Sequence, residues 1–369
     1  MPIDAAFWRG RRVLVTGCTG FKGSWLTAWL SRLGARVWGC GLDPATEPAL
    51  FDLAGIAGLV ERLPCDIRDA AAVRGLVARA APEVVFHLAA QPLVLESLRD
   101  PLRTLATNAM GTAHLLEAVR AFGNVRAVIV VTSDKCYRDT RLPCAEDDPL
   151  GGCDPYSASK AAAEIVVAAW RHSFLRAELG TGVGVATARA GNVVGGGDFN
   201  ADRLLPDLVR AAHAGRPAVL RHPHAIRPWQ HVLDALHGYL SLAQALHDRP
   251  AQFATSWNFG PSADDAWTVA EVAAFALRQL GYGSCEVREQ PYLHETAFLR
   301  LSSSRARQRL GWRPMLDIER TIAWTVEGYR ALLNGGGRGW MEEQIDSYPG
   351  AAGPTLPAVL PAAAEAAHV

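Results

Sequence analysis

The chain has 369 residues, 49% of them hydrophobic and 20% charged, a globular balance with enough length for one large core or two lobes. Lys and Arg number 37 and Asp and Glu 37, so a net charge of zero argues against a nucleic-acid surface or a polybasic membrane patch. Seven dispersed cysteines with no C-x-x-C spacing argue against a zinc knuckle, another metal site or a disulfide framework, and for free thiols in a reducing compartment.

The start, MPIDAAFWRGRRVLV, lacks a basic stretch followed by a long apolar core, and no apolar run reaches membrane-span length; the expectation is a cytoplasmic chain with no membrane partner. RRVLVTG (11–17) predicts a strand, 21–34 a helix stopped by Gly34, and 35–43 a second strand. Helix 68–81, strand 82–90, helix 103–123, strand 125–133, helix 156–174 and strand 182–190 follow. Alternation of this kind, with continuously apolar strands, predicts an α/β fold with a parallel sheet covered on both faces. Beyond 191 Gly, Pro, Arg and Trp become frequent, with helices predicted at 205–214, 231–247, 268–280, 303–310 and 317–333. This reads as a smaller mixed lobe at 191–345 interleaved with the domain at 7–190. The Ala/Pro-rich end, 346–369, reads as a disordered tail.

TGCTGFKG (16–23) sets Gly17, Gly20 and Gly23 directly after the first strand and into the first helix. Small residues let backbone approach a pyrophosphate, and the helix N-terminus offers free N–H groups and a positive dipole end. An ordinary tight turn would look the same in isolation. Asp43, twenty residues past Gly23 at the end of the next strand, favours a Rossmann dinucleotide site built from Gly17, Thr19, Gly20, Phe21, Lys22 and Gly23. An acid at that place accepts hydrogen bonds from the adenosine ribose and repels a 2′-phosphate, which favours NAD over NADP. Lys22 argues mildly the other way.

The G-x-x-G-x-x-G spacing, with CDIRD (65–69) and FHLAAQ (86–91), resembles the extended short-chain dehydrogenase/reductase family. The resemblance implies a Rossmann doubly wound sheet in which Asp66 and Ile67 flank the adenine. It also implies that Leu88, Ala89 and Ala90 line the cofactor cleft, with Gln91 toward the substrate. Read alone, Asp66 could cap the next helix and LAA could be simple core.

Tyr156 and Lys160 form Y-S-A-S-K at the start of a helix, a spacing that puts both on one face. A lysine cation near a phenol stabilises the phenolate; at ~4 Å and an effective dielectric of ~20 the attraction is roughly 4 kcal/mol. An exposed Tyr/Lys pair has the same spacing, but Ser133 supplies a hydroxyl at the end of the preceding strand. Ser133, Tyr156 and Lys160 match the family triad for moving a hydride between a sugar alcohol and NAD.

Oxidation alone needs neither Asp134 nor Lys135, which follow Ser133 directly. They could be a solvated ion pair. Beside a new ketone, an acid and a base can remove a neighbouring carbon-bound proton and protonate a leaving hydroxyl, which is dehydration. As a base, Lys135 needs a neutral amine, a state Lys160 favours and Asp134 opposes. Other sugar-nucleotide 4,6-dehydratases carry Asp-Glu here. Asp-Lys, with TGCTGFKGSWL, VTSDKCY, RAGNVVGGGD and IRPWQHV, resembles the CDP-glucose branch over about residues 7–345. Two departures stand out: Cys18 replaces a usual histidine, and LSSSRA (301–306) replaces L-D-x-S-K-A. Arg203 and Arg227 are candidates for the substrate diphosphate, and Asn192 for diphosphate or sugar; each has a plainer reading as a surface or turn residue. By analogy with the family, the helices at 103–123 and 156–174 form a dimer interface, giving a homodimer or a dimer of dimers. A 4-epimerase would use the same triad without elimination, and an NAD-binding module would need no triad.

Overall fold

The computed structural model describes residues 3–139, 143–176, 182–262, 265–288 and 299–351, so most of the expected tail lies outside the described residues. The strands are β1 (Arg12–Thr16), β2 (Arg36–Gly41), β3 (Glu61–Pro64), β4 (Val84–His87), β5 (Ala127–Val131), β6 (Gly184–Ala190), β7 (Asn192–Val194), β8 (Ala218–Leu220), β9 (Trp229–His231), β10 (Ser256–Phe259) and β11 (Cys285–Val287). Seven form one parallel sheet in the order β10-β6-β5-β4-β1-β2-β3. Winding runs outward from β1 through β2 to β3, then restarts at β4 on the other side of β1. The crevice above the β1/β4 boundary is the switch point where such sheets bind ligands.

Every residue of β4, β5 and β6 is buried. Helices on both faces require this, and it explains the unbroken apolar run of β5. Val128, Ile129 and Val130 of β5 are 0–1% exposed, each contributing about 1.5–3 kcal/mol by burial. One face of the sheet packs on helices Phe21–Arg32 and Val232–Asp248. The other packs on Ala70–Ala80, Gly111–Ala121 and Pro155–Ser173. A separate core joins helices Leu204–His213, Val269–Leu280 and Ile318–Leu333 around Leu208, Trp229, Val272 and Ile322. Beside it lie two short parallel pairs, β7–β9 and β8–β11.

The helix expected over 103–123 is interrupted. Pro101–Leu105 leads into a π-turn at Ala106–Met110 and then helix Gly111–Ala121. A Cβ on Gly111 would stand 2.6 Å from Ile67 Cδ1, so this helix runs close against the segment that follows β3. The helix expected over 303–310 contains a second π-turn, Ala306–Leu310, stopped by Gly311 in the left-handed region. Helix Gly337–Ser347 reads from sequence as no element, yet it buries Trp340, Met341 and Ile345. Tyr348 behind it donates to Asp234 at 2.6 Å.

Candidate active site

The glycine loop fits a dinucleotide through its close backbone approaches. Gly17 has φ +74°, and a Cβ there would stand 2.7 Å from the Ala89 nitrogen. A Cβ on Gly23 would stand 2.0 Å from the Gly17 carbonyl oxygen. Helix Phe21–Arg32 starts at Gly20 with no side-chain cap, so its first N–H groups are free of side-chain competition. Thr19 ties the loop to the end of β2 by donating to the Leu42 carbonyl at 2.9 Å. Leu88 and Ala89 are tied across to β1, their N–H groups donating to the Thr16 carbonyl and hydroxyl. Ala90 follows them, half-buried, on the same rim.

Three residues of the expected cofactor site sit differently from the simplest reading. Asp43, its side chain 91% exposed, is paired with Arg62 at 2.7 Å, so the acid that should repel a 2′-phosphate carries its own cation. Asp66 does not cap the next helix. Asp69 does that, while Asp66 accepts from Arg68, which holds its carboxyl below the usual carboxylate range. Lys22 faces away from the ribose end: the charges acting on it are Lys160, Arg203, Asp134 and Asp198. Phe21 turns toward Gly195, and a Cβ on that glycine would meet its ring at 3.1 Å.

Strand β5 leads into the turn expected to be catalytic. Past Val131 the chain stays extended to Ser133, which caps the short turn Asp134–Cys136 by accepting from the Lys135 N–H at 3.2 Å. The same hydroxyl donates to Asp134 Oδ1 at 3.0 Å. Helix Pro155–Ser173 opens on N-cap Asp154 with Pro155 in its first turn, a strong start signal. That start fixes Tyr156, whose N–H donates to Ser97 Oγ at 3.1 Å. Ser133, Asp134, Tyr156 and Lys160 are all under 9% exposed.

Burial governs the titration of this cluster. It pushes the Tyr156 phenol up to about 12, opposed by a hydrogen bond with Ser133 and by the charge of Arg203 and reinforced by Asp134. It brings Lys160 down to about 8, with Glu164 opposing. Lys160 donates to the Val131 carbonyl at 3.3 Å, and the cation with the strongest hold on the phenol is Arg203. Asp134 is pushed up by burial, opposed by Lys135, Ser133 and Arg227. Its Oδ2 is buried without a hydrogen-bond partner, against the backbone of Gly191.

Arg203 is held by Asp198 at 2.5 Å, which fixes it beside Tyr156 and Lys22. Arg227 is buried, acts on Asp134, and lines a pocket with Arg300, Arg307 and Ser302. Asn192 begins β7, opposite Trp229. Gln91 is spent on structure, donating to Thr104 Oγ1 at 2.8 Å and accepting from Leu93 N–H at 2.5 Å. Sequence reasoning missed Asn108. The π-turn places its amide between the Gln91 backbone and Ser159 Oγ, within the helix that carries Tyr156 and Lys160. Its only signal was a lone amide in an apolar helix, and π-turns gather at functional sites.

A family model described as GDP-mannose 4,6 dehydratase matches residues 14–325. The chain belongs to this 4,6-dehydratase family. CDP-glucose 4,6-dehydratase of Salmonella typhimurium is 45% identical over 338 residues, covering 90% of this chain and 94% of the relative. An epimerase structure, Mth375 of Methanothermobacter thermautotrophicus, superposes with a TM-score of 0.76 at 22% identity over 89% of this chain and 95% of that one, a likeness of fold alone. MoeE5 in complex with UDP-glucose and NAD superposes with a TM-score of 0.74 at 26% identity over 87% and 99% of the two chains. As a member of the 4,6-dehydratase family the chain is an enzyme of the hydro-lyase type. Among its described residues no helix is long and apolar enough to cross a membrane.

Proposed function

We propose that the protein converts CDP-D-glucose to CDP-4-dehydro-6-deoxy-D-glucose and water, using NAD held by Gly17, Gly20, Gly23, Asp43, Asp66, Ile67 and the 88–90 segment. When bound, NAD supplies a hydride acceptor at the start of the turnover and the donor of the same hydride at its end. Tyr156 takes the proton of the C4 hydroxyl, which Ser133 orients. Lys160 and Arg203 supply the positive field that brings the phenol down toward working range. The C4 ketone acidifies the C5 proton, and Lys135 removes it or stabilises the enolate. Asp134 protonates the departing C6 hydroxyl, so one water leaves; C6 takes back the hydride and C5 regains a proton, which closes the redox balance on the sugar.

The observation that carries this reading is Asp134: a buried acid, raised by its burial, with one oxygen unpartnered, one residue from the triad serine. A buried acid with a raised pKa beside a new ketone suits elimination, and epimerisation has no use for it. CDP as the nucleotide rests on the 45% identity to the Salmonella enzyme. Arg227 and the adjoining Arg300 and Arg307 are the proposed grip on the nucleotide diphosphate. The helices carrying Leu102, 78% exposed, and Ile165, 60% exposed, are the proposed dimer face. Seven free thiols accord with a reducing cytoplasm. Incubating the purified protein with CDP-, dTDP- and GDP-hexoses and weighing the products is the test. Loss of one water from CDP-glucose is the expected result, and loss from another nucleotide sugar alone would overturn the substrate.

A further inference from the structure

Behind the catalytic helix lies a buried ion pair that the proposed reaction does not use. The side chains of Glu164 and Arg189 are each 2% exposed and meet at 2.8 Å. Arg189 holds both carboxylate oxygens, through Nε at 2.9 Å and Nη2 at 2.8 Å. Thr132, Thr187 and Ser256 add hydroxyl donors at 2.5, 2.7 and 3.3 Å. These hydroxyls come from just past β5, the middle of β6 and the start of β10, three neighbouring strands. Apolar residues of similar volume would often be as stable as such a pair, so its retention points beyond stability.

The pair reaches the site on two sides. Glu164 follows Lys160 by one helical turn, on the face that also carries Tyr156. On the other side Arg189 Nη1 donates to the Tyr137 hydroxyl at 2.8 Å, and the guanidinium lies 4.9 Å from that ring. Tyr137 in turn donates to Asn258 at 2.7 Å. Tyr137 closes the turn Asp134–Cys136, its N–H reaching the Asp134 carbonyl at 3.5 Å. We propose that Glu164 and Arg189 are positioning residues for the reaction: Glu164, one turn beyond Lys160, keeps it charged, and Arg189, through Tyr137, sets the turn that carries Asp134 and Lys135. This rests on the dehydratase reading above.

The charges around Lys160 support the assignment. Lys22, from the glycine-loop helix, repels it and is repelled by it. His87, from β4, is held neutral by burial, its pKa down at about 3. Burial likewise raises the Cys136 thiol, which stays protonated. Tyr156 shares its helix, and Arg203 and Asp134 face the cleft side through their action on Tyr156 and Lys22. Around Glu164 itself stand Arg189 and Arg171. Glu164 is therefore the fixed negative charge that opposes the burial of Lys160.

The test measures turnover by the cofactor-loaded enzyme across pH and weighs the sugars released. Glu164→Gln keeps the shape and removes the charge, so Lys160 gives up its proton earlier. The alkaline limb of kcat/KM should move down by about one pH unit, and Glu164→Asp should restore its position even with lower activity. Tyr137→Phe should slow water loss about tenfold and release a sugar two hydrogens lighter than substrate that still carries its C6 hydroxyl. A folded Glu164→Gln enzyme with the wild-type limb overturns the proposal. So does a Tyr137→Phe enzyme that releases only dehydrated sugar, and that arm decides alone should Glu164→Gln not fold. If the wild type fails on CDP-glucose, the substrate reading falls, and the limb is then measured with whichever nucleotide sugar it does turn over.

Discussion

The backbone of Gly191 lies directly against the carboxyl group of Asp134. A Cβ on Gly191 would stand 2.8 Å from Asp134 Oδ2 and 2.3 Å from Pro228 Cγ. The glycine therefore makes room for the acid that the proposed elimination needs. Gly191→Ala must displace either the acid or Pro228, at about 1–3 kcal/mol of overpacking. Water loss should fall roughly tenfold to hundredfold, while NAD affinity, set on the far side of the cleft, should hold. Asp134→Asn removes the acid without moving it and should give the same signature: oxidised sugar that keeps its C6 hydroxyl, seen by mass. Wild-type turnover by Gly191→Ala would show that this contact does not set the acid's position.

Tyr156→Phe tests the oxidation half. The phenol is the proposed proton acceptor, and losing a positioned general base costs typically ~10²–10⁴-fold. Both oxidised and dehydrated sugar should fall together by that factor, because elimination waits on the ketone. Dinucleotide affinity, measured by calorimetry, should stay within about threefold, since the glycine loop and the Tyr156 hydroxyl are separate contacts. Turnover near the wild-type rate would remove Tyr156 from the mechanism.

The Asp43–Arg62 pair, at 2.7 Å, bears on cofactor choice. Paired, Asp43 still accepts from a ribose hydroxyl, while Arg62 is occupied. Asp43→Ser frees a guanidinium beside the place where a 2′-phosphate would sit. NAD should then bind about tenfold more weakly, the value of one charge-assisted hydrogen bond, and NADP more tightly. Asp43→Ser with Arg62→Ala should lose the NADP gain and keep the NAD loss. Calorimetric titration of both dinucleotides checks this, and an unchanged preference in the single variant would take Asp43 out of the ribose site.

Much of this architecture was legible because local pattern and global fold agree. Parallel strands buried on both faces are mostly apolar, so β1, β4 and β5 stand out, while β6 carries Thr187 and Arg189 and runs on into β7. Edge strands lack that pressure: β3 reads ERLP and is half-exposed. The π-turn at Asn108 was hidden because one extra residue in a helical turn leaves the apolar periodicity nearly intact. In the proposed site, Tyr156 and Lys160 were picked out by their helical spacing, and Ser133 and Asp134 by their place at the end of an apolar strand. Arg62, Glu164 and Arg189 were not, since each acts through a partner distant in the chain. Even for Tyr156 the helical spacing pointed to Lys160, whereas the cation acting most strongly on the phenol is Arg203, brought in from another lobe.

Lys22 offers a check on the electrostatics that does not depend on turnover. Burial first, then Lys160 and Arg203, bring its pKa down from 10.5 to about 7. In the unfolded chain the amine keeps its proton up to 10.5. Between about pH 7 and 10.5 the unfolded state therefore binds more protons, so this residue's contribution to stability rises with pH through that window. Below pH 7 both states are protonated and the full cost of the half-buried ammonium remains. Lys160, brought down to about 8 by burial, adds a slope of the same sign, but in wild type and variant alike. Lys22→Met in the cofactor-free protein should thus raise the melting temperature most at about pH 6, with the gain shrinking by about 2–4 °C or more on going to about pH 9.5. Scanning calorimetry at the two pH values checks this, and an equal gain at both would mean that the Lys22 amine is well solvated and does not share the buried field of Lys160 and Arg203.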